Sequence, residues 1–122
     1  GGMAAWKAAG LPVESTNRMD VGALRELWGQ PQAPLIIDVR QQSEYHAGHI
    51  SGALNIELGE LQSHLDGLPR ELPIVTVCAS GMRSTIAGSI LLRDGRDNVQ
   101  VVDELGTPGW ADRGYPVATG EE

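Results

Sequence analysis

The single cysteine of the chain, Cys78, lies where a strand pattern changes into a helix pattern. Residues Ile74–Val77 before it are all β-branched, which is typical of a buried parallel strand. After it, Met82, Ile86 and Ile90 recur at every fourth position and predict one apolar face of a helix. A helix start offers unpaired backbone N–H groups and a partial positive charge, and both stabilise an anion. The position therefore favours a thiolate and predicts that Cys78 is a nucleophile.

Two residues close to Cys78 strengthen this prediction. Gly81 allows the backbone to form a tight concave loop whose successive N–H groups point inward. Arg83 adds a full positive charge near the thiol in sequence. The alternative is that Cys78 is a small buried hydrophobic residue and that Arg83 is an ordinary surface side chain. The helix dipole disfavours a cation at a helix start, so the pattern favours a functional loop over this alternative.

The composition limits the kinds of partner that the chain can have. With 122 residues and 41% hydrophobic content, it is long enough for one domain with its own core, and no apolar run reaches membrane-spanning length. A single cysteine cannot form an intramolecular disulfide, and a working thiol suits the reducing cytoplasm. The net charge of -7 argues against nucleic acid or an anionic membrane as partner. Local groups must therefore hold any anionic substrate.

Apolar runs alternate with amphipathic segments along the chain, separated by glycine and proline. Strands are predicted at residues 34–39, 53–56, 74–77 and 98–102. Helices are predicted at residues 21–28 with Asp20 as the N-cap, and at residues 43–47, 58–67, 82–93 and around Trp110. This alternation, without hairpin turns, predicts a mostly parallel sheet that is covered by helices on both faces. Asp38 and Arg40 come at the C-terminal end of the first strand, where ligand-facing groups of such a sheet collect.

The two ends of the chain carry a similar pattern. Trp6-x3-Gly10-x-Pro12-Val13 returns as Trp110-x3-Gly114-x-Pro116-Val117. If the match is not chance, residues 1–13 are the tail of a preceding similar domain. Residues 14–19 are then a polar linker, and residues 20–119 form the catalytic domain.

The three histidines, His46, His49 and His64, do not form a metal-binding pattern. No second cysteine and no helical His-x3-His pair accompanies them. His49 is expected to order its loop by hydrogen bonding, and His64 to lie on a solvated helix face. We therefore expect neither a metal nor another cofactor.

Four motifs, spread over nearly the whole chain, resemble those of the rhodanese family of sulfurtransferases. The family patterns are Asp-x-Arg-x3-Glu-aromatic, Gly-His-Ile-x-Gly-Ala-x-Asn, Cys-x-x-Gly-x-Arg-Ser and a closing element with glycine, tryptophan and proline. The corresponding residues are Asp38, Arg40, Glu44 and Tyr45, residues 48–56, residues 78–84, and residues 105–116.

This resemblance implies a rhodanese-like α/β sandwich with a central, mostly parallel sheet of about five strands. It also implies that Cys78 takes a sulfane sulfur from a small donor such as thiosulfate or a persulfide, and passes it to a thiol or to cyanide. The backbone amides of the loop would hold the persulfide, and three charged residues would brace the loop. The loop residues are Ala79, Ser80, Gly81, Met82, Arg83 and Ser84, and the bracing residues are Asp38, Arg40 and Glu44.

The chain departs from the family pattern at two places. Gly106 is followed by Thr107 and Pro108, where the closing element commonly has a second glycine. Glu44 stands where the two-domain thiosulfate and mercaptopyruvate enzymes often have an arginine, which argues against tight binding of those donors.

Residues 1–13 resemble a closing element themselves. The chain therefore resembles the C-terminal module of a tandem rhodanese or of a metallo-β-lactamase/rhodanese fusion, with a preceding domain as partner.

Two other functions remain open from the sequence. A related class of cysteine-dependent phosphatase has one residue more between its cysteine and arginine than the four found here. A shorter loop suits a single sulfur atom better than a tetrahedral oxyanion. The other alternative is a non-catalytic docking or regulatory module of rhodanese type.

Overall fold

Five parallel strands form the central sheet of the protein in the computed structural model, which describes residues 17–102 and 105–120. The strands within these residues are, in chain order, β1 Asn17–Met19, β2 Leu35–Asp38, β3 His49–Ile50, β4 Leu54–Asn55, β5 Ile74–Val77, β6 Val99–Val102 and β7 Val117–Ala118. The central sheet has the order β1-β6-β5-β2-β4, and each neighbouring pair is parallel. The remaining two strands, β3 and β7, pair antiparallel in a separate small sheet.

Helices cover both faces of the central sheet. They are α1 Val21–Leu27, α2 Gln42–Ala47, α3 Leu61–His64, α4 Met82–Arg93 and α5 Gly106–Asp112. Successive strand residues point to opposite faces, so Ile36 packs with α1 and α5 on one side and Ile37 packs with α3 and α4 on the other. The predicted fold class, a mostly parallel five-stranded sheet with helices on both faces, is confirmed.

The domain begins earlier than the sequence indicates. Residues 17–19 were predicted as linker, but they form β1, whose residues pair in register with Gln100, Val101 and Val102. Three residues show too little periodicity to predict a strand, and the hydrogen bonds that stabilise it come from β6. The predicted tail at residues 1–13 and the rest of the predicted linker lie outside the described residues.

Two predicted helices differ in detail from those observed. The segment predicted as one helix at residues 58–67 is a short α-helix, α3, between two 3-10 turns, Leu58–Glu60 and Leu65–Gly67. The predicted apolar face of α4 is wrong, because Met82 is 72% exposed and Ile86 is 45% exposed. Residues with mostly small side chains lie against the sheet instead, which lets the helix approach it closely: Ser84, Ala87, Gly88 and Leu91.

The small sheet of β3 and β7 was not predicted. Each of these strands has two residues, so neither carries a readable alternation of apolar and polar positions. Among the described residues, no helix has the length and apolar character needed to cross a membrane.

Candidate active site

The site is built at the C-terminal edge of the sheet, where β5 leads into α4. Cys78 directly follows β5, and Gly81 is the last residue before α4. Gly81 has a φ of 101°, a conformation that L-residues with a side chain rarely adopt, so glycine is needed for this turn. The loop from Cys78 to Gly81 is therefore short and curves around the cysteine side chain.

The sulfur atom of Cys78 is buried and receives hydrogen bonds from the backbone. The N–H groups of Gly81 and Ser84 donate to Sγ, at 3.0 and 3.3 Å. Both donors belong to the start of α4, a helix of 12 residues, so its partial positive charge acts on the same atom. This geometry is suited to a thiolate.

The hydroxyl of Ser84 lies at the centre of this hydrogen-bond arrangement. Its Oγ is 3.5 Å from Sγ of Cys78, and 3.0 Å from the carbonyl oxygens of both Gly81 and Val102. A serine hydroxyl has one proton and serves one acceptor at a time. In the thiol form, Cys78 can donate its own proton to Ser84 Oγ. In the thiolate form, the Ser84 proton can turn towards the sulfur.

Burial and hydrogen bonding act in opposite directions on the cysteine. Burial, the largest single cause, raises the pKa of the Cys78 thiol. Hydrogen bonds from the Ser84 hydroxyl and from the N–H groups of Ser84, Gly81 and Ser80 lower the pKa. Together these donors prevail, and the pKa of Cys78 lies below the ordinary value for a thiol.

Arg83 is paired with Glu44 and does not stand as a free charge beside the sulfur. Its two guanidinium nitrogens donate to the two carboxylate oxygens of Glu44, at 2.8 and 3.2 Å. This pairing lowers the pKa of Glu44 and raises the pKa of Arg83. Glu44 also accepts a hydrogen bond from the Gln41 N–H in the capping box of α2, which fixes its position. The positive charge that the sequence places near Cys78 is therefore neutralised by the carboxylate of Glu44.

Asp38 and Arg40 form a second pair below the loop. Arg40 donates through Nε and Nη2 to the buried carboxylate of Asp38, the shorter contact being 2.8 Å, and also to the Gly48 carbonyl oxygen. The link from this pair to the cysteine runs through Thr107. Its hydroxyl donates to Asp38 at 3.5 Å, and its N–H donates to the Cys78 carbonyl oxygen at 3.0 Å.

Gly106 and Thr107 were not predicted as site residues, although both lie directly against the cysteine. A Cβ on Gly106 would lie 2.2 Å from the Cys78 carbonyl oxygen, so no side chain fits there. Thr107, the next residue, hydrogen-bonds to the same oxygen. The sequence did show an unusual closing element at Gly106-Thr107-Pro108. That departure indicated an altered turn, but it did not predict that the turn contacts Cys78.

The other predicted positions lie apart from the sulfur. Met82 is largely exposed, and the backbone N–H groups that act on Sγ within the described residues are those of Ser80, Gly81 and Ser84. His49 is buried, stacks on Tyr45 and contacts its carbonyl oxygen through Nδ1 at 2.7 Å. Within residues 17–102 and 105–120, no three acidic, histidine or cysteine side chains group together as metal ligands would.

A buried cysteine after a central parallel strand, held by the amides of a helix start, defines an α/β protein built around a thiolate-stabilising loop. The sequence profile of the Rhodanese-like domain matches residues 20–113. The chain therefore belongs to the rhodanese family.

Similar proteins and structures agree with this assignment. The uncharacterized protein YibN of Escherichia coli K12 is 30% identical over 95 residues, which cover 71% of this chain and 62% of YibN. A rhodanese-related protein of Thermoplasma volcanium is 30% identical with a TM-score of 0.76, covering 85% of this chain and 99% of its own. A thiosulfate sulfurtransferase of Pseudomonas aeruginosa is 25% identical with a TM-score of 0.76, covering 88% of this chain and 20% of its own. The chain thus spans less than two thirds of the length of its E. coli relative.

Proposed function

We propose that this domain is a sulfurtransferase that carries a sulfane sulfur as a persulfide on Cys78. The observation that supports this most directly is the pair of N–H groups, from Gly81 and Ser84, that donate to the buried Sγ. The proposed donors are thiosulfate or a persulfide, and the proposed acceptors are a thiol or cyanide. The similarity to the Pseudomonas thiosulfate sulfurtransferase also favours this reaction.

The first half of the reaction loads the cysteine. The Cys78 thiolate attacks the outer sulfur of the donor, and a new S–S bond forms to Sγ. The donor's own bond to that sulfur breaks, and sulfite or a thiolate leaves with the electron pair. A pKa below the ordinary value keeps more of Cys78 in the attacking form at neutral pH.

The second half regenerates the enzyme. The acceptor attacks the outer sulfur of the persulfide, and the bond between the two sulfurs breaks with its electrons going to Sγ. A cysteine with a lowered pKa is a better leaving group, so the donors that favour attack also favour release. Asp38, Arg40 and Glu44 hold the loop and do not react.

Phosphatase chemistry is less well supported by the same geometry. An arginine that grips a phosphoryl group must offer its guanidinium to the substrate. Here both of the Arg83 nitrogens that face Glu44 are occupied in a bidentate ion pair. The donors at Sγ belong to a loop that closes around one atom.

Direct mass measurement of the intact protein tests the proposal. We expect the protein to gain the mass of one sulfur atom after incubation with thiosulfate or an organic thiosulfonate, and to lose it to cyanide with release of thiocyanate. Cys78→Ser should gain none while keeping its melting temperature, because a serine hydroxyl without a base is a poor nucleophile at neutral pH. A folded protein that gains no sulfur from any donor would overturn the proposal and favour a docking module.

A further inference from the structure

Both arginines that the site contributes are neutralised by carboxylates. Arg40 is paired with the buried Asp38, and Arg83 is paired with Glu44. These four side chains therefore carry no net charge. The attraction between an anion and a charged group grows with the product of their charges, so a dianionic donor gains little from these four side chains. It would also approach a thiolate that repels it.

An open pocket of about 440 Å³ is lined by one residue of each ion pair, Arg40 and Glu44. Glu44 and Thr107 both line the pocket and both contact the cysteine loop, Glu44 through Arg83 and Thr107 through the Cys78 carbonyl oxygen. Most of the other lining side chains are apolar: Ala47, Pro108, Ala111 and Val117. The pocket therefore offers an apolar surface next to two residues, Glu44 and Thr107, that contact the reactive loop directly.

We propose that the preferred sulfur donor carries at most one negative charge and an apolar body that lies in this pocket, and that Glu44 sets the charge preference by neutralising Arg83. This inference rests on the proposed sulfurtransferase function and names its donor class. Glu44 acts through Arg83 and is a specificity-determining residue.

Organic thiosulfonates are suitable probes of this class. The Cys78 thiolate attacks the outer sulfur of R–SO₂–S⁻, the bond between the two donor sulfurs breaks, and a sulfinate R–SO₂⁻ leaves with the electron pair. Thiosulfate reacts in the same way, with sulfite as the leaving group. Thiosulfate and methanethiosulfonate differ mainly in charge, whereas methanethiosulfonate and benzenethiosulfonate differ in the size of the apolar body.

Glu44→Gln tests the charge preference with little change of shape. The amide oxygen can still accept from Arg83, but the pair gains one net positive charge. We expect kcat/KM to rise about fivefold for methanethiosulfonate and, because the Coulomb energy doubles for a dianion, about 25-fold for thiosulfate. Any change in Cys78 reactivity affects both donors equally, so the thiosulfate-to-methanethiosulfonate ratio isolates the effect. Glu26→Gln, an equal charge change at an exposed position on α1, should leave that ratio unchanged.

Ala111→Phe tests the pocket. Ala111 is exposed, so a larger side chain can be accommodated while it fills the pocket. We expect kcat/KM for benzenethiosulfonate to fall about tenfold relative to that for methanethiosulfonate, because the ring loses its apolar contact surface. Ala23→Phe, the same change at an exposed position on α1, should leave the ratio unchanged.

The outcomes separate the two proposals. If all three donors load Cys78 but Glu44→Gln changes thiosulfate and methanethiosulfonate by the same factor, the charge inference is overturned. If Ala111→Phe slows both thiosulfonates equally, the pocket does not hold the donor. If no donor places sulfur on Cys78, the sulfurtransferase function itself is overturned, and this inference with it.

Discussion

Replacing Gly106 by alanine should destabilise the protein at the contact between α5 and the cysteine loop. The new Cβ would lie 2.2 Å from the Cys78 carbonyl oxygen, 3.2 Å from its nitrogen and 3.3 Å from its carbonyl carbon. Ordinary contacts between carbon and a carbonyl oxygen begin at about 3.3 Å. All three neighbours are backbone atoms, so a side-chain rotation cannot relieve the overlap. Either α5 or the loop must move by on the order of 1 Å.

The expected loss of stability follows from three contributions. Forcing a methyl group into a packed site costs about 1 to 3 kcal/mol. A shift of α5 also weakens the hydrogen bond from Thr107 to the Cys78 carbonyl oxygen, worth about 1 kcal/mol. Alanine recovers about 0.4 to 1 kcal/mol by restricting the unfolded chain. The net loss is about 2 kcal/mol, which corresponds to a decrease of roughly 10 °C in melting temperature for a domain of this size.

Urea unfolding, together with the rate of persulfide formation on Cys78, measures both consequences. Gly59→Ala is a matched control, because a Cβ at Gly59 meets nothing within 4 Å. It should change the free energy of unfolding by no more than about 0.5 kcal/mol. Gly106→Ala should also slow persulfide formation at temperatures where it remains folded, since the loop shift moves Sγ away from its amide donors. Equal stability of the two variants would refute the argument that this contact requires glycine.

Three other predictions concern titration and burial. The rate of Cys78 alkylation should rise with pH, with a midpoint below the ordinary thiol pKa of about 8.5. Ser84→Ala should raise that midpoint. A wild-type midpoint at or above about 8.5 would contradict the role of the loop donors. The lowered pKa of Glu44 should make the wild type more stable than Glu44→Gln above pH about 4.3, by at most about 1 kcal/mol because the carboxylate is partly exposed. This advantage should be lost as pH falls through the lowered pKa, and a pH-independent difference in urea unfolding would argue against it. Arg96→Met should lower the free energy of unfolding in urea by about 3 kcal/mol, because the buried guanidinium donates to three backbone carbonyl groups. Arg93→Met, at an exposed position, should be nearly neutral. Equal effects of the two substitutions would show that these hydrogen bonds contribute little.

Features that depend on neighbouring residues could be predicted from the sequence. The β-branched run before Cys78 is a strand, Gly81 has positive φ, and Asp20 caps α1 by accepting from the Ala23 N–H. Each of these depends on backbone conformations and contacts within a few residues. Local sequence therefore carried enough information to place the cysteine at a strand-to-helix turn.

The buried face of α4 shows where a periodic pattern was misleading. Met82 and Ile86 follow a helical repeat but are substantially exposed, whereas Ser84 is fully buried. The carbonyl of Ser84 accepts from the Thr76 hydroxyl of β5, so the helix lies close to the strand. Hydrophobicity alone predicts which residues favour burial, but the close approach of a helix to a sheet selects small residues.

The sequence by itself determined that a lone cysteine directly follows a buried strand, with Gly81 and an arginine close by. Only the tertiary structure decided the electrostatic state of the site. Glu44 lies 39 residues from Arg83 in sequence and neutralises it at 2.8 Å, and Gly106 packs against the carbonyl of Cys78. Ion pairing and steric contact act over a few ångströms of space, so these partners depend on how β2, β5 and the start of α5 are brought together. The charge that a substrate meets here is a property of the fold.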